Sequence, residues 1–195
     1  NLAAVSLGNS YIFIAMSIGI GFSAAITPIV AEAHSERNHS KLKTSFINGF
    51  LLCLMLGLVL YILVLLLKGT LTHLDQPKEV VELALPYLDI VAISLIPLLL
   101  FQALKQFTDG LSKTIYPMYA TVLANIINVV INYILIFGML GFPKLGIIGA
   151  AIGTLVSRII MVVFLFYMLM NKRIIYEYMS DLKSFVYNKL MIKKI

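Results

Sequence analysis

Residues 46–67 read FINGFLLCLMLGLVLYILVLLL, a run without a single charged side chain. A helix that spans a bilayer needs about 20 consecutive, mostly apolar residues. A strand of a membrane β-barrel would instead alternate polar and apolar residues over about 10 positions, and this run does not alternate. The run therefore predicts a membrane-spanning α-helix.

Four further apolar runs have a similar length, at residues 11–33, 85–104, 115–137 and 146–170. The whole chain of 195 residues is 61% hydrophobic and only 12% charged, whereas soluble domains have about 25% charged residues. A soluble fold would lack the polar side chains needed to cover its outside. The sequence thus predicts an all-α membrane protein, a polytopic transmembrane helix bundle of five spans within residues 1–170.

The basic residues are distributed unevenly between the segments that join these spans. Eleven of the 15 lysines and arginines lie after the first span, after the third span and in the tail, and the alternate loops hold only Lys68, Lys78 and Lys144. The positive-inside rule places the first set in the cytoplasm. This orientation predicts a multi-pass protein of the cell inner (plasma) membrane, with residue 1 on the outer side and one further span before it.

Residues 171–195 mix apolar and basic residues at near-helical spacing. Such a segment can be an amphipathic helix on the inner membrane surface. A cytoplasmic basic connector to a following span is the favoured interpretation, because topology alone requires basic residues there. For the same reason the net charge of +6 indicates membrane orientation and not nucleic-acid binding.

The fourth span carries a stripe of polar residues, Thr121, Asn125, Asn128 and Asn132. Their spacing places all four within an arc of about 60° on a helix. Polar side chains are costly inside a membrane and usually face a cavity or another helix. Amide oxygens suit Na⁺ or a hydrogen-bonded substrate, and a role limited to holding helices together is the alternative. The favoured prediction is a stripe that lines a cavity.

The fifth span carries an arginine near its middle. Arg158 lies about 18 Å into the span at 1.5 Å per residue, and no carboxylate of the sequence lies at that depth. Its partner could be another part of the protein, a backbone carbonyl, an asparagine or a water-filled cavity.

Thr154 of the fifth span lies at the same depth in the membrane as Asn128 of the fourth span. The same span has two ladders of small residues at steps of four, interpreted as close helix packing: Gly146, Ala150 and Thr154, and Gly149, Gly153 and Ser157.

Two prolines interrupt other spans. Pro28 and Pro97 each remove a backbone hydrogen bond and predict a kink in the first and third spans. Gln102 lies on the third span, deeper than its cytoplasmic end. All three histidines fall in loops, and neither a phosphate-binding loop nor a nucleophile or metalloprotease motif is present in the sequence. The sequence therefore predicts a protein that is not an enzyme and implies no cofactor.

Several stretches together resemble the multidrug and toxic compound extrusion (MATE) transporters of the NorM type. They are LAAVSLGNS at 2–10, AITPIVA at 25–31, DGLSKT at 109–114, NVVINYILIFG at 128–138 and GAAIGT at 149–154. The resemblance covers nearly the whole chain. It implies a secondary active antiporter of twelve helices in two lobes, in which these five spans are helices two to six. The first helix and the carboxyl-terminal lobe of the same protein would then be partners of this chain.

The resemblance also implies what such a protein does. Members of the family export cationic amphipathic or aromatic compounds, drugs and toxic organic cations among them, in exchange for Na⁺ or H⁺. Asn128 and Asn132 match the family's helix-five pair, Gln102 matches the helix-four position and Thr154 the helix-six position. Asn125 and Arg158 complete the candidate ion and substrate site because of their depth in the membrane.

Two departures from the family pattern limit what these residues can do. The acid expected on helix one is not in this sequence, and some relatives have aspartate where this chain has Asn132. We therefore expect the 195 residues alone to be inactive and unable to couple proton movement through their own carboxylates. Two other interpretations stay open: a lipid-linked oligosaccharide flippase of the same superfamily, which would use a more cationic cavity, and a non-transporting membrane scaffold. An intramembrane enzyme ranks behind both.

Overall fold

The computed structural model describes residues 2–73 and 77–172. None of these residues lies in a strand, and they form α-helices with one short 3₁₀ helix, Lys68–His73. The α-helices are α1 (Leu2–Ser23), α2 (Ile26–Ser35), α3 (His39–Leu67), α4 (Lys78–Ile93), α5 (Leu95–Gly110), α6 (Ile115–Phe137) and α7 (Ile147–Asn171). The predicted cytoplasmic tail, apart from its first two residues, lies outside the described residues.

The described helices combine into five apolar segments long enough to cross a membrane, at residues 5–35, 39–71, 80–110, 115–137 and 147–171. The first consists of α1 and α2, the third of α4 and α5, and the others of α3, α6 and α7. The predicted all-α bundle with five spans is therefore confirmed. The first three segments extend beyond the predicted apolar runs because helical turns with polar residues continue at their ends; Asn38, for example, accepts a hydrogen bond from the Lys41 N–H at the start of α3 (3.0 Å).

The first and third spans are each broken, as the two prolines predict. Pro28 cannot donate to the carbonyl of Ala24, and Pro97 cannot donate to the carbonyl of Ile93. The helix breaks at these carbonyls, one turn before each proline. At the second break the Ser94 hydroxyl donates to the carbonyl of Val91 (2.6 Å).

The third span forms the centre of the bundle. In its most apolar window 50% of the residues are buried, against 11–22% in the other spans. On α5 the side chains of Leu95, Leu99, Leu104 and Phe107 are almost completely buried. Many large apolar side chains of the surrounding helices are exposed instead. This distribution suits a bundle whose surroundings are themselves apolar.

The helices α6 and α7 form a closely packed antiparallel pair. α6 ends at Gly138, whose left-handed conformation (φ 72°) closes the helix with a hydrogen bond from its N–H to the carbonyl of Ile134 (2.9 Å). The loop then returns, and the N–H of Leu145 donates to the carbonyl of Leu135 (2.9 Å). This connection fixes which residues of α7 lie opposite the asparagines of α6.

Candidate ion and substrate site

The glycines of α7 lie directly against α6. A Cβ atom added to Gly149 would be 2.8 Å from the carbonyl carbon of Leu135, and one added to Gly153 would overlap the Oδ1 atom of Asn132. Both positions therefore have room only for glycine unless a neighbour moves. The ladder Gly149, Gly153 and Ser157 packs against α6, as its sequence pattern predicts.

A chain of hydrogen bonds crosses this interface. The Nδ2 of Asn132 donates to the Oδ1 of Asn128 (3.0 Å), and the Nδ2 of Asn128 donates to the Oγ of Ser157 (3.2 Å). The Ser157 hydroxyl in turn donates to the carbonyl of Thr154 (3.0 Å). Hydrogen bonds between helices are what we expect if the asparagines only hold the helices together.

We expect Ser157→Ala to lower the free energy of unfolding by about 1 kcal/mol, since it removes the acceptor for Asn128 between two helices. Ser17→Ala is the matched control, because the exposed Ser17 hydroxyl donates only to the carbonyl of Phe13 in its own helix (2.8 Å). Equilibrium unfolding in mixed micelles measures both variants. Equal effects of the two substitutions would contradict a contribution from the interhelical bond.

Two predicted site residues have a buried hydrogen-bond acceptor that a role in holding helices together does not explain. The Oδ1 of Asn132 and the Oε1 of Gln102 are buried and lack a hydrogen-bond partner among the described residues. Leaving a buried acceptor unsatisfied costs about 1–3 kcal/mol. A cation or a ligand donor would satisfy these oxygens. Gln102 forms no described hydrogen bond with the asparagines, so the structure does not join it to their chain.

The other members of the predicted stripe lie in different surroundings. Asn125 and Thr121 are exposed, and the Thr121 hydroxyl donates to the carbonyl of Pro117 in its own helix (2.8 Å). Of the four, only Asn128 and Asn132 form a described hydrogen bond to another side chain. In the stripe, Asn128 and Asn132 are therefore packed between helices, whereas Thr121 and Asn125 are exposed.

Arg158 connects three spans. Its Nη1 donates to the Ser94 hydroxyl at the break in the third span (2.6 Å), and its Nη2 lies 3.3 Å from the Sδ of Met16 on α1. As the sequence indicates, none of the ion pairs between described residues provides it with a carboxylate. The hydroxyl and the thioether are not among the partners that the sequence suggests.

Arg158 and Thr154 also line an open groove between α1, α4 and α7. The groove has a volume of about 1000 Å³. Asn9 and Tyr87 are among its other polar lining residues, and the Tyr87 hydroxyl donates to the Oδ1 of Asn9 (2.7 Å). The Thr154 hydroxyl donates to the carbonyl of Ala150 (2.9 Å), which leaves its oxygen lone pairs for a ligand. Thr154 thus belongs both to the groove and, through its carbonyl, to the hydrogen-bond chain.

Sequence reasoning misses four of these residues. Ser157 belongs to a ladder interpreted only as packing, and Asn9 precedes the predicted start of the first span. Ser94 and Tyr87 are polar residues of the third span that no helical stripe singles out. A survey of every polar side chain by its depth in the membrane would have included all four.

The comparisons with known proteins agree with this architecture. The family model MatE matches residues 1–134, more than half of the chain. The chain belongs to the MatE family. The sequence resemblance to MATE transporters is thereby confirmed, and the chain is a multipass membrane protein of that multidrug transporter family.

Two relatives show how much of a MatE protein these residues represent. The probable multidrug resistance protein NorM of Bacillus anthracis is 39% identical over 160 residues, which cover 79% of this chain and 34% of that protein. The probable multidrug resistance protein NorM of Photorhabdus laumondii is 30% identical over 192 residues, which cover 98% of this chain and 42% of that protein. The chain spans well under half the length of these curated relatives.

Solved structures of MATE transporters have the same helix arrangement. A MATE crystal structure in the bent conformation superposes with a TM-score of 0.80 at 25% identity, covering 88% of this chain and 38% of that one. The inward-facing conformation of a multidrug resistance MATE family transporter of the MOP superfamily gives a TM-score of 0.74 at 26% identity, covering 86% and 38%. The five-span bundle is therefore a MATE substructure.

Proposed function

We propose that this chain is part of a secondary active multidrug efflux antiporter that exports cationic amphipathic or aromatic compounds in exchange for Na⁺ or H⁺. The observation that carries this proposal is the buried Oδ1 of Asn132, which lacks a hydrogen-bond partner among the described residues. It lies at one end of a hydrogen-bond chain that reaches the wall of a large groove through Thr154. A chain that only holds the helices together has no use for a costly free acceptor at its end. An ion site uses such an oxygen directly.

The chemistry of these side chains favours Na⁺ over H⁺. Na⁺ is a hard cation that takes oxygen ligands, and the Oδ1 of Asn132 and the Oγ1 of Thr154 are oxygens able to accept it. Neither side chain can carry a transported proton at neutral pH. Binding of the ion would favour one of two arrangements of the transporter, and a substrate bound in the groove would favour the other.

The flippase alternative receives less support from the groove. A cavity for lipid-linked oligosaccharides would be expected to be strongly cationic, and Arg158 is the one charged residue among the groove's described lining residues. The scaffold alternative accounts for the hydrogen bonds between α6 and α7 but not for the free acceptor. An efflux experiment separates the scaffold from the transporter.

The test replaces both Asn128 and Asn132 by leucine, which has a similar shape but no polar atoms. The protein is expressed from the whole reading frame in which these residues occur, and efflux of the aromatic cation ethidium is measured with a Na⁺ gradient or a proton gradient alone. We expect the double variant to reach the membrane at the normal level and to lose nearly all Na⁺-driven efflux. Asn48→Leu on α3, outside the site, is the control and should retain efflux.

Two results would count against the proposal. Normal efflux by the double leucine variant would mean that the two asparagines only hold helices together and form no ion site. Efflux by the unmodified protein with a proton gradient alone, at the rate seen with Na⁺, would overturn the assignment of Na⁺ to this site.

A further inference from the structure

Arg158 is a permanent cation in the middle of a membrane span, with no ion-pair partner among the described residues. It lies 11 residues after Ile147, the first residue of α7, or about 17 Å along a helix of 25 residues. None of the ion pairs between described residues includes it. A charge at that depth is expensive, and such residues face a binding partner or a cavity.

The contacts that Arg158 does form leave much of its binding capacity unused. A guanidinium carries five N–H donors in a planar fork. Its described contacts are one hydroxyl, that of Ser94, and one sulfur, that of Met16, which is a weak acceptor. A carboxylate matches the fork with two parallel hydrogen bonds and supplies the missing charge.

The open groove beside Arg158 is large enough for a small molecule and is lined mainly by apolar side chains. Its volume of about 1000 Å³ is at the upper end of the range of about 300–1000 Å³ for ligand pockets. Apolar side chains, Ile12, Phe13 and Val91 among them, line it beside Arg158. An aromatic body can pack on such walls while a charged group reaches the guanidinium.

We propose that Arg158 is an anion-binding subsite of the groove, which takes the carboxylate of a small amphipathic aromatic compound. The inference rests on the proposed function, in that the groove is taken as a substrate site. It extends the expected substrates from organic cations to zwitterions whose carboxylate lies at Arg158 and whose cationic group lies away from it, since Arg158 repels a cation placed beside it. The depth of Arg158 disfavours a phospholipid headgroup, which lies at the membrane interface about 15 Å from the midplane.

The experiment compares binding of a carboxyl-bearing rhodamine with binding of its methyl ester. The two dyes share their ring system and differ in the anionic group. Fluorescence polarisation is measured on the protein from the whole reading frame, in nanodiscs without an ion gradient. We expect the acid to bind about tenfold more tightly than the ester, since hydrogen bonds from a charged donor to a charged acceptor are stronger than those to neutral groups.

Substitutions of Arg158 test whether its guanidinium causes the preference for the acid over the ester. Arg158→Gln should remove the preference for the acid without weakening binding of the cationic ester, since the guanidinium no longer repels its ring system. Arg158→Lys should retain part of the preference because lysine cannot form the fork. Lys144→Gln removes one positive charge from an exposed loop position and should keep the full preference. In the unmodified protein, benzoate should displace the rhodamine acid at lower concentration than benzyl alcohol does.

The proposal fails if the unmodified protein binds the ester as tightly as the acid, which would mean that Arg158 is already neutralised by another carboxylate of the protein. It also fails if Arg158→Gln weakens both dyes equally. Neither result requires transport. A protein that prefers the acid but shows no Na⁺-driven efflux would keep the subsite and overturn the antiporter instead, so the two proposals fail separately.

Discussion

Gly149→Ala lowers the free energy of unfolding by about 1–3 kcal/mol, because the added methyl group meets the backbone of the neighbouring helix. Its Cβ would lie 2.8 Å from the carbonyl carbon and 2.9 Å from the carbonyl oxygen of Leu135. A backbone inside a helix cannot move aside as a side chain can, so α6 and α7 must separate. Equilibrium unfolding in mixed micelles measures the loss.

Gly21→Ala is the matched control for this prediction. Gly21 also lies inside a membrane-spanning helix, but an added Cβ would meet nothing within 4 Å. Alanine should be neutral there or stabilise the helix by about 0.5–1 kcal/mol. If both glycines tolerate alanine equally, the contact between α6 and α7 is looser than the structure has it.

In contrast to Gly149→Ala, Arg158→Met should raise the free energy of unfolding, by about 2–3 kcal/mol. The substitution removes an unpaired charge from the middle of a span, where arginine costs about 2.5–3.5 kcal/mol relative to water. Methionine retains the length of the side chain and can fill the same space. The Ser94 hydroxyl loses one contact but still donates to the carbonyl of Val91.

The same unfolding assay, without added anions, tests this prediction. Lys144→Met is the control, because Lys144 is exposed and its replacement should change stability by less than about 0.5 kcal/mol. A lower stability of Arg158→Met would show that the protein itself compensates the charge. A higher stability would mean that the cation is retained at a cost, as residues needed for binding often are.

The spans and the breaks within them could be predicted from the sequence because each depends on local chemistry. An uninterrupted apolar run decides that residues 46–67 cross the membrane, and the missing N–H of a proline decides that a helix breaks one turn earlier. That Gly149 and Gly153 pack closely against another helix was also predictable, since small residues at steps of four permit close approach.

The partners of the polar side chains could not be predicted in the same way. The sequence gives the depth of a residue and its face on one helix, but not which neighbouring helix that face meets. Arg158 finds Ser94 and Met16 at separations of 64 and 142 residues. Likewise, Asn125 and Asn128 share a helical face, yet only Asn128 forms a hydrogen bond to α7. Such contacts depend on how the helices cross.

The break at Ser94 divides the third span into two helices, α4 and α5, that meet at this one residue. Pro97 has no N–H to donate to the carbonyl of Ile93, so one fewer backbone hydrogen bond opposes a change in the angle between α4 and α5. The guanidinium of Arg158 holds the hydroxyl at this joint. An anion that draws the guanidinium toward itself would release the joint, and the occupancy of the groove would then be transmitted to the angle of a helix in the centre of the bundle.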